Sequence, residues 1–467
     1  MGPSRSSPPR EPPAVDLVVI GLGYVGLPLA REASRAGLSV CGFDLDQDVV
    51  SELTAGRSHI NDLADADVAE LVERGFSATT DPAVLGRAAV AVVCVPTPVS
   101  PDGRPDLSAM IAAADSLVRH LRAGMLVVLE STTYPGTTDE VLRPLLEASG
   151  LVAGEDFYLA FSPERIDPGN PTFGLKNTPK IVGGHTRACT QRACAFYGWF
   201  VDTVIPARGT REAEMAKLLE NTYRDVNIAL VNEMAKFCQE LSVDLWDVIR
   251  CASTKPFGFQ AFYPGPGVGG HCIPIDPKYL SYRVRMLGYP FRLLEVAQEI
   301  NAAMPDYVVR RAQDILNRDA KALHGARVLL LGVTYKPNVS DQRESPARHV
   351  ARHLRRLGAD VVYHDPYVRE WHVDGEPVPR TDDLNAELAS AELTIVLQGH
   401  SGYDLGEIAR KARKLFDTRG QIADTQVERL LRPRGPAATR SGKEGITSRI
   451  PLVIPSGDHQ QLISSGD

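Results

Sequence analysis

No stretch of the 467-residue chain stays apolar for the ~18–20 residues that a membrane-spanning helix needs, so a helical bilayer protein is not expected. The opening MGPSRSSPPREPP has basic residues but no apolar core, and does not read as a secretory signal. The seven cysteines (Cys41, Cys94, Cys189, Cys194, Cys238, Cys251, Cys272) form no C-x-x-C pair and are odd in number. Cys189 and Cys194 have no second cysteine pair nearby to complete a metal site. Neither a disulfide framework nor a metal is expected, and a reducing, cytoplasmic location fits. Positive charge is also short: 51 Lys and Arg face 58 Asp and Glu, a net −7. That field repels phosphate backbones, so nucleic acid is not expected as the main partner, although a local basic pocket could hold a phosphorylated small molecule. Glycine (39) and proline (34) together stay well under the ~25–30% of low-complexity chains.

What is present is ordinary globular composition, 43% hydrophobic and 23% charged, with room for about three domains of ~150 residues. Residues 1–14 are rich in Pro, Ser and Arg and read as a disordered lead. From Val15 the run VDLVVIG is continuously apolar, as parallel strands covered on both faces are. A helix ended by Gly37 and a second strand, SVCGFD, complete a βαβ unit. Strands expected at 88–96, 125–131, 157–164 and 179–184 extend the pattern, giving a doubly wound domain over 15–208. Residues 210–241 then run without Gly or Pro, apolar at helical spacing, and predict one long helix that leads a central helical domain over 209–305. Alternation resumes with a strand within 325–337, a helix near 345–357 and strands within 358–365 and 391–400, a second doubly wound domain over 306–432. Residues 433–467 lack periodicity and read as a disordered tail. The fold class is therefore α/β: two Rossmann-like parallel-sheet domains joined by a central helical domain.

The segment Gly21-Leu22-Gly23-Tyr24-Val25-Gly26 follows a strand and opens a helix, and Asp44 closes the next strand. In such a motif the first glycine permits a tight turn, the second lets the backbone approach a pyrophosphate, and the third allows close helix–strand packing. The helix N-terminus offers N–H groups to the phosphates, and Asp44 can bond the ribose hydroxyls and repel a 2′-phosphate. This predicts NAD rather than NADP. The second α/β half has only Gly332 at the corresponding turn, so it should not hold a second dinucleotide. Lys336, Asp341 and Arg343 instead cluster charge at the carboxyl end of a strand, where open α/β sheets bind ligands. Lys336 and Arg343 read as diphosphate contacts, or the three as a surface ion-pair cluster.

The segment FYPGPGVGGHCIPIDP (262–277) packs three prolines before Asp276 and four glycines around Cys272, with His271 beside it. It should be neither helix nor strand but a rigid, sharply turned loop, and a thiol held there can act as a nucleophile if a cation or base favours its thiolate. A structural cysteine is the alternative, and adjacency alone does not aim the His271 ring. Lys217 and Asn221 share a ridge of the long helix at i, i+4, where both could donate to a developing oxyanion or simply face solvent. Glu164, past a strand end and followed by Arg165, could be a general base or half of a salt bridge. Ser131 and Thr132 place hydroxyls at the same sheet edge.

Six motifs, GLGYVGLP, VCVPTP, FSPERIDPGN, AKLLENTYR, GVGGHCIPIDP and GVTYKPNVSDQRES, occur in the order of the UDP-glucose/GDP-mannose dehydrogenase family, which the chain resembles over about 15–430. The proline-rich form of the cysteine loop looks most like the branch that oxidises UDP-N-acetylhexosamines; UDP-glucose and other pyrimidine nucleotides such as dTDP remain possible. The resemblance implies a four-electron oxidation of a sugar C6 alcohol to a carboxylate with NAD. Cys272 would form a thiohemiacetal and then a thioester; Lys217 and Asn221 would stabilise oxyanions; Asp276 would move protons; Glu164 and Thr132 would position water. It also implies NAD contacts at Gly21, Gly23, Tyr24, Val25, Gly26, Asp44, Thr97, Thr132 and Arg343. Sugar-nucleotide contacts are implied at Glu164, Arg165, Lys217, Asn221, Phe262, Tyr263, Gly269 and Lys336, with no metal and a homodimer formed through the long helix. A two-electron hydroxy-acid dehydrogenase would need neither the thiol nor a third domain. A non-catalytic NAD-binding regulator would have no use for Cys272, Lys217, Asn221 and Glu164 together.

Overall fold

A computed structural model describes residues 15–60, 63–100, 103–167, 170, 172–270, 273–422 and 428–429. The expected lead (1–14) and tail (433–467) lie outside these residues, as do His271 and Cys272.

The first sheet has eight strands: β1 Val15–Ile20, β2 Val40–Phe43, β3 Ser77–Thr79, β4 Ala88–Val93, β5 Leu126–Leu129, β6 Tyr158–Phe161, β7 Lys180–Gly184 and β8 Val204–Pro206. Their order, β3-β2-β1-β4-β5-β6-β7-β8, begins with the doubly wound arrangement that the sequence pattern predicts. Leu17, Val19, Val90 and Val92 fill the core on one face, while Val18, Ile20, Ala91 and Val93 fill the other. Both faces are dry, which is why these strands are uninterrupted apolar runs. The three-residue β3, which is partly polar, and β8, which is largely exposed, carry no such signal and are not among the expected strands.

One junction departs from the all-parallel expectation. β7 runs antiparallel to β6, with Phe161 opposite Gly183, and β8 follows β7 in parallel. A parallel return needs a crossover of a dozen or more residues, usually a helix. The link 162–179 carries Pro163, Pro168, Pro171 and Pro179 and holds no helix among its described residues. The chain therefore doubles back, and the start of β7 lands at the sheet edge where β6 ends.

The long helix spans Thr210–Glu240, one residue short of the expected run. A Cβ on Gly183 would collide with the carbonyl of Gly209, so the glycine lets the helix start press against β7. Glu214 secures the same end. Its buried carboxylate accepts from Gly136 N (2.6 Å), Thr138 N (2.9 Å) and Thr138 Oγ1 (2.7 Å), and burial pushes it up to about 7.

The second sheet has the order β10-β9-β13-β14-β15 and is parallel throughout. Its strands are β9 Arg327–Leu331, β10 Asp360–His364, β13 Leu393–Val396, β14 Leu415–Asp417 and β15 Glu428–Arg429; β11 His372–Val373 and β12 Glu376–Pro377 form a separate hairpin. The expected division at 305/306 falls within the first turn of the helix Met304–Asn317. That helix packs Val308, Ala312 and Ile315 into one core with Val328, Leu330, Val350 and Leu354. Among the described residues no helix is long and apolar enough to cross a membrane.

Candidate active site

The glycine-rich turn has the form the motif predicts. Gly21 has φ +88° and donates to Phe43 O at 2.8 Å. A Cβ on Gly26 would collide with Gly21 O, so only glycine lets the helix Gly26–Arg35 sit this close to β1. A Cβ on Gly23 would meet nothing within 4 Å, which marks an open side from which a ligand can approach the backbone. No side chain caps that helix at Val25. Asp44, half-buried at the end of β2, accepts from Leu22 N at 2.8 Å and Asp46 N at 3.1 Å, so the turn itself orients the acid. An open glycine, an uncapped helix start and an oriented carboxylate fit a dinucleotide.

The second sheet repeats this hydrogen bond and closes the site. Val333 N donates to Asp365 Oδ2 at 2.7 Å, but Asp365 also takes Tyr367 N (2.8 Å) and lies 3.0 Å from His400 Nε2, with Val333, Asp365 and His400 all buried. A Cβ on Gly332 would strike Gln398 O, and the following helix, Pro346–Arg356, is capped by its own Ser345.

At the carboxyl edge of the first sheet, four segments converge. Thr97, after β4, donates to Thr132 O at 2.7 Å. Thr132, after β5, accepts from Lys217 Nζ at 2.5 Å. Lys217 is buried, not the surface lysine that helix spacing alone allows, and lies 4.0 Å from Asp276 Oδ2. Asn221 Nδ2 donates to that same oxygen at 2.6 Å, so the i, i+4 pair of the long helix converges on one carboxylate. Burial pushes Asp276 up to about 6, against the opposing pull of Lys217 and Asn221. Asp276 and Pro277 are not loop, as expected, but open the helix Asp276–Met286, because proline is tolerated in a first turn. One turn on, Tyr279 hydrogen-bonds Thr97 O and ties this helix to the first sheet.

The cysteine loop runs between these parts. Gly270 has φ +90°, and a Cβ there would press on the Tyr335 ring; one on Gly269 would lie 2.6 Å from Glu344 O. These glycines let the loop lie against the turn that follows β9. Cys272 itself, four residues before Asp276, lies outside the described residues.

Other expected residues bridge the two α/β halves. The Arg343 guanidinium stands 4.6 Å above the Tyr24 ring and pairs with Asp341 at 2.7 Å, which brings it over the glycine-rich turn. Lys336 is ion-paired with Asp167, so the segments that follow β9 and β6 meet. Glu164 Oε1 accepts from Arg165 N (2.7 Å) and Ile166 N (2.6 Å), while Arg165 reaches Glu220 of the long helix at 2.7 Å. Phe262 and Tyr263 pack apart from this network, edge-on to Tyr223 (5.7 Å) and stacked on Trp246 (5.6 Å). Sequence reading passed over Glu130, Lys180 and Glu214. For Glu130 and Lys180 the available signal was a charge at one end of an otherwise apolar strand, as in LVVLE and KIVGG; Glu214, in the first turns of the long helix, carried no such signal.

Models of three consecutive regions match the chain: the NAD-binding domain of the UDP-glucose/GDP-mannose dehydrogenase family over 15–201, its central domain over 211–303 and its UDP-binding domain over 329–425. The UDP-N-acetyl-D-glucosamine 6-dehydrogenase of Pseudomonas aeruginosa is 37% identical over 355 residues, 75% of this chain and 83% of its own length. The UDP-N-acetyl-D-mannosamine dehydrogenase of Salmonella typhi is 35% identical over 419 residues, 86% of this chain and 98% of its own. The structure of UDP-D-ManNAc dehydrogenase from Pyrococcus horikoshii superposes with a TM-score of 0.82 at 32% identity, covering 89% of this chain and 99% of that one. With the dinucleotide turn at one end and family matches through all three regions, the chain belongs to the UDP-glucose/GDP-mannose dehydrogenase family and is an NAD-dependent nucleotide-sugar dehydrogenase.

Proposed function

We propose that the chain oxidises the C6 alcohol of a UDP-N-acetylhexosamine to a carboxylate in two successive two-electron steps. NAD, when bound, supplies the hydride acceptor for both. In this reading Asp276 receives the hydroxyl proton, and Lys217 and Asn221 donate to the oxygen as it gains charge. Cys272 adds to the aldehyde carbon as a thiohemiacetal, whose oxidation leaves a thioester. Glu164 and Thr132 hold the water that cleaves it, releasing the acid and restoring the thiol. Gly21, Gly23, Tyr24, Val25, Gly26, Asp44, Thr97 and Arg343 border NAD, and Arg165, Phe262, Tyr263, Gly269 and Lys336 border the sugar nucleotide.

The observation that carries the reading is the line from half-buried Thr132 through buried Lys217 and Asp276 to half-buried Asn221. Kept from water, an ammonium and a carboxamide stabilise developing negative charge far more than surface groups would. The N-acetylhexosamine follows from the relatives, which by name act on UDP-N-acetyl-D-glucosamine and UDP-N-acetyl-D-mannosamine. Purified protein given these two sugars and UDP-glucose should release about two NADH per sugar consumed, one for each two-electron step. One NADH per sugar would mean a two-electron dehydrogenase, and turnover of UDP-glucose alone would correct the substrate.

The division of labour is part of the proposal: 15–208 holds NAD, 209–305 carries the cysteine loop, and 306–432 grips the nucleotide. Lys336→Ala should weaken UDP binding in calorimetry by ~10–100-fold, the loss of a hydrogen bond to a charged group, and leave NAD affinity nearly unchanged. An equal loss for NAD would overturn that division. Met215, Leu219, Tyr223, Leu230 and Phe237 stand exposed on the long helix, an apolar face that supports a homodimer through it, to be read from molar mass in solution.

A further inference from the structure

Behind Glu164 lies a second charge cluster that the proposed steps do not use. Lys180 opens β7, and because β7 is antiparallel its amine reaches the carboxyl edge of the sheet, not the opposite edge. Its side chain is only 5% exposed, and Nζ lies 3.1 Å from Glu130 Oε1 and 3.7 Å from Glu164 Oε2. Glu130, at the end of β5, also accepts a hydrogen bond from Tyr197, whose ring lies 5.0 Å from the ammonium. The two backbone N–H bonds to Glu164 Oε1 fix that carboxylate, and its buried Oε2 has no hydrogen-bond partner among the described residues. Two carboxyl groups share this one ammonium, and burial pushes Glu130 up against the pull of Lys180.

We propose that Lys180 and Glu130 are positioning residues for Glu164: Lys180 draws on its carboxylate from 3.7 Å, and Glu130, at 3.1 Å, holds the ammonium back from pairing with it directly. The distances carry the asymmetry. Lys180 is in direct contact with Glu130 and only in longer-range attraction to Glu164, which leaves Glu164 Oε2 without a close cationic partner there. Burial pulls Lys180 down, but the two carboxylates outweigh it and leave the ammonium raised, so it remains charged. Among the described residues the other titratable groups facing the cluster are the Cys94 thiol after β4 and the Tyr197 phenol, both kept neutral by burial. Arg165 is turned onto Glu220 and Pro179 O.

The inference rests on Glu164 serving the hydrolytic step, and both are read in one experiment. Rapid-quench mass analysis of the Cys272 peptide follows decay of the covalent adduct across pH 5–9. Glu164→Gln should slow the decay and abolish its acidic limb; if it does neither, the role of Glu164 and this inference fall together. With that control in hand, Glu130→Gln frees Lys180 to bind Glu164 directly, so the limb should move down by ~1–2 pH units. Lys180→Met removes the cation, so the limb should move up by a similar ~1–2 units, while Lys180→Arg should hold it near the starting pH. A limb that stays put in Glu130→Gln and Lys180→Met overturns the inference while sparing Glu164. If Lys180→Met does not fold, the nearly isosteric Glu130→Gln decides alone.

Discussion

Cys272→Ala protein should form no uronate from the sugar nucleotide, at any time of incubation. A second hydride cannot leave a free aldehyde carbon until a nucleophile has added to it, and in the proposed sequence that nucleophile is the thiol of the 262–277 loop. Glu164→Gln should behave differently, because both hydrides have already left when its step begins. Loss of general-base assistance typically slows such a step ~10²–10⁴-fold. The Glu164→Gln protein should therefore show a burst approaching two NADH per active site, one for each oxidation, and then a slow phase. During that phase intact mass should show a sugar-nucleotide adduct on the peptide containing Cys272. Acid formed at the normal rate by Cys272→Ala would refute the covalent route outright.

Lys217→Ala should lower kcat by ~10²–10³-fold with a smaller change in KM, as removal of an oxyanion donor does. Its hydrogen bond to Thr132 and its approach to Asp276 place the ammonium between the loop after β5 and the helix that follows the cysteine loop. Asp276 supplies the accompanying pH dependence. Burial raises it to about 6, so above that pH it is ionised and can receive a proton. As the pH falls through about 6 it takes up a proton beforehand, and kcat/KM should fall with it. Asp276→Asn should lose most activity and also lose that acidic limb. Because kcat/KM reports steps up to the first irreversible one, this limb is separate from the one read in adduct decay. A limb near pH 6 that persists in Asp276→Asn would assign it to another group.

The parts legible in the sequence are those whose chemistry is complete within a few turns of chain. Gly21, Gly23, Gly26 and Asp44 lie within one βαβ unit, so backbone sterics and strand order determine their arrangement. The long helix announces itself because its apolar spacing runs through 210–241 unbroken, and Lys217 and Asn221 fall on one ridge by helix geometry alone. The single Gly332 in the second half likewise states locally that the turn differs from the first.

Tertiary structure decided which of these groups meet. Nothing local distinguishes Lys217 as a buried donor from a solvated lysine; Thr132 and Asp276, brought from distant segments, make that difference. Arg343 reaches Tyr24 only because the second sheet folds back over the first. The antiparallel turn of β7 arises from a proline-rich link too irregular for a crossover helix, and strand propensity is blind to strand direction. That reversal carries Lys180 to the active edge between Glu130 and Glu164. Composition and spacing specify elements by near-neighbour sterics and periodic burial, whereas electrostatics falls with distance in space, which only the folded chain sets.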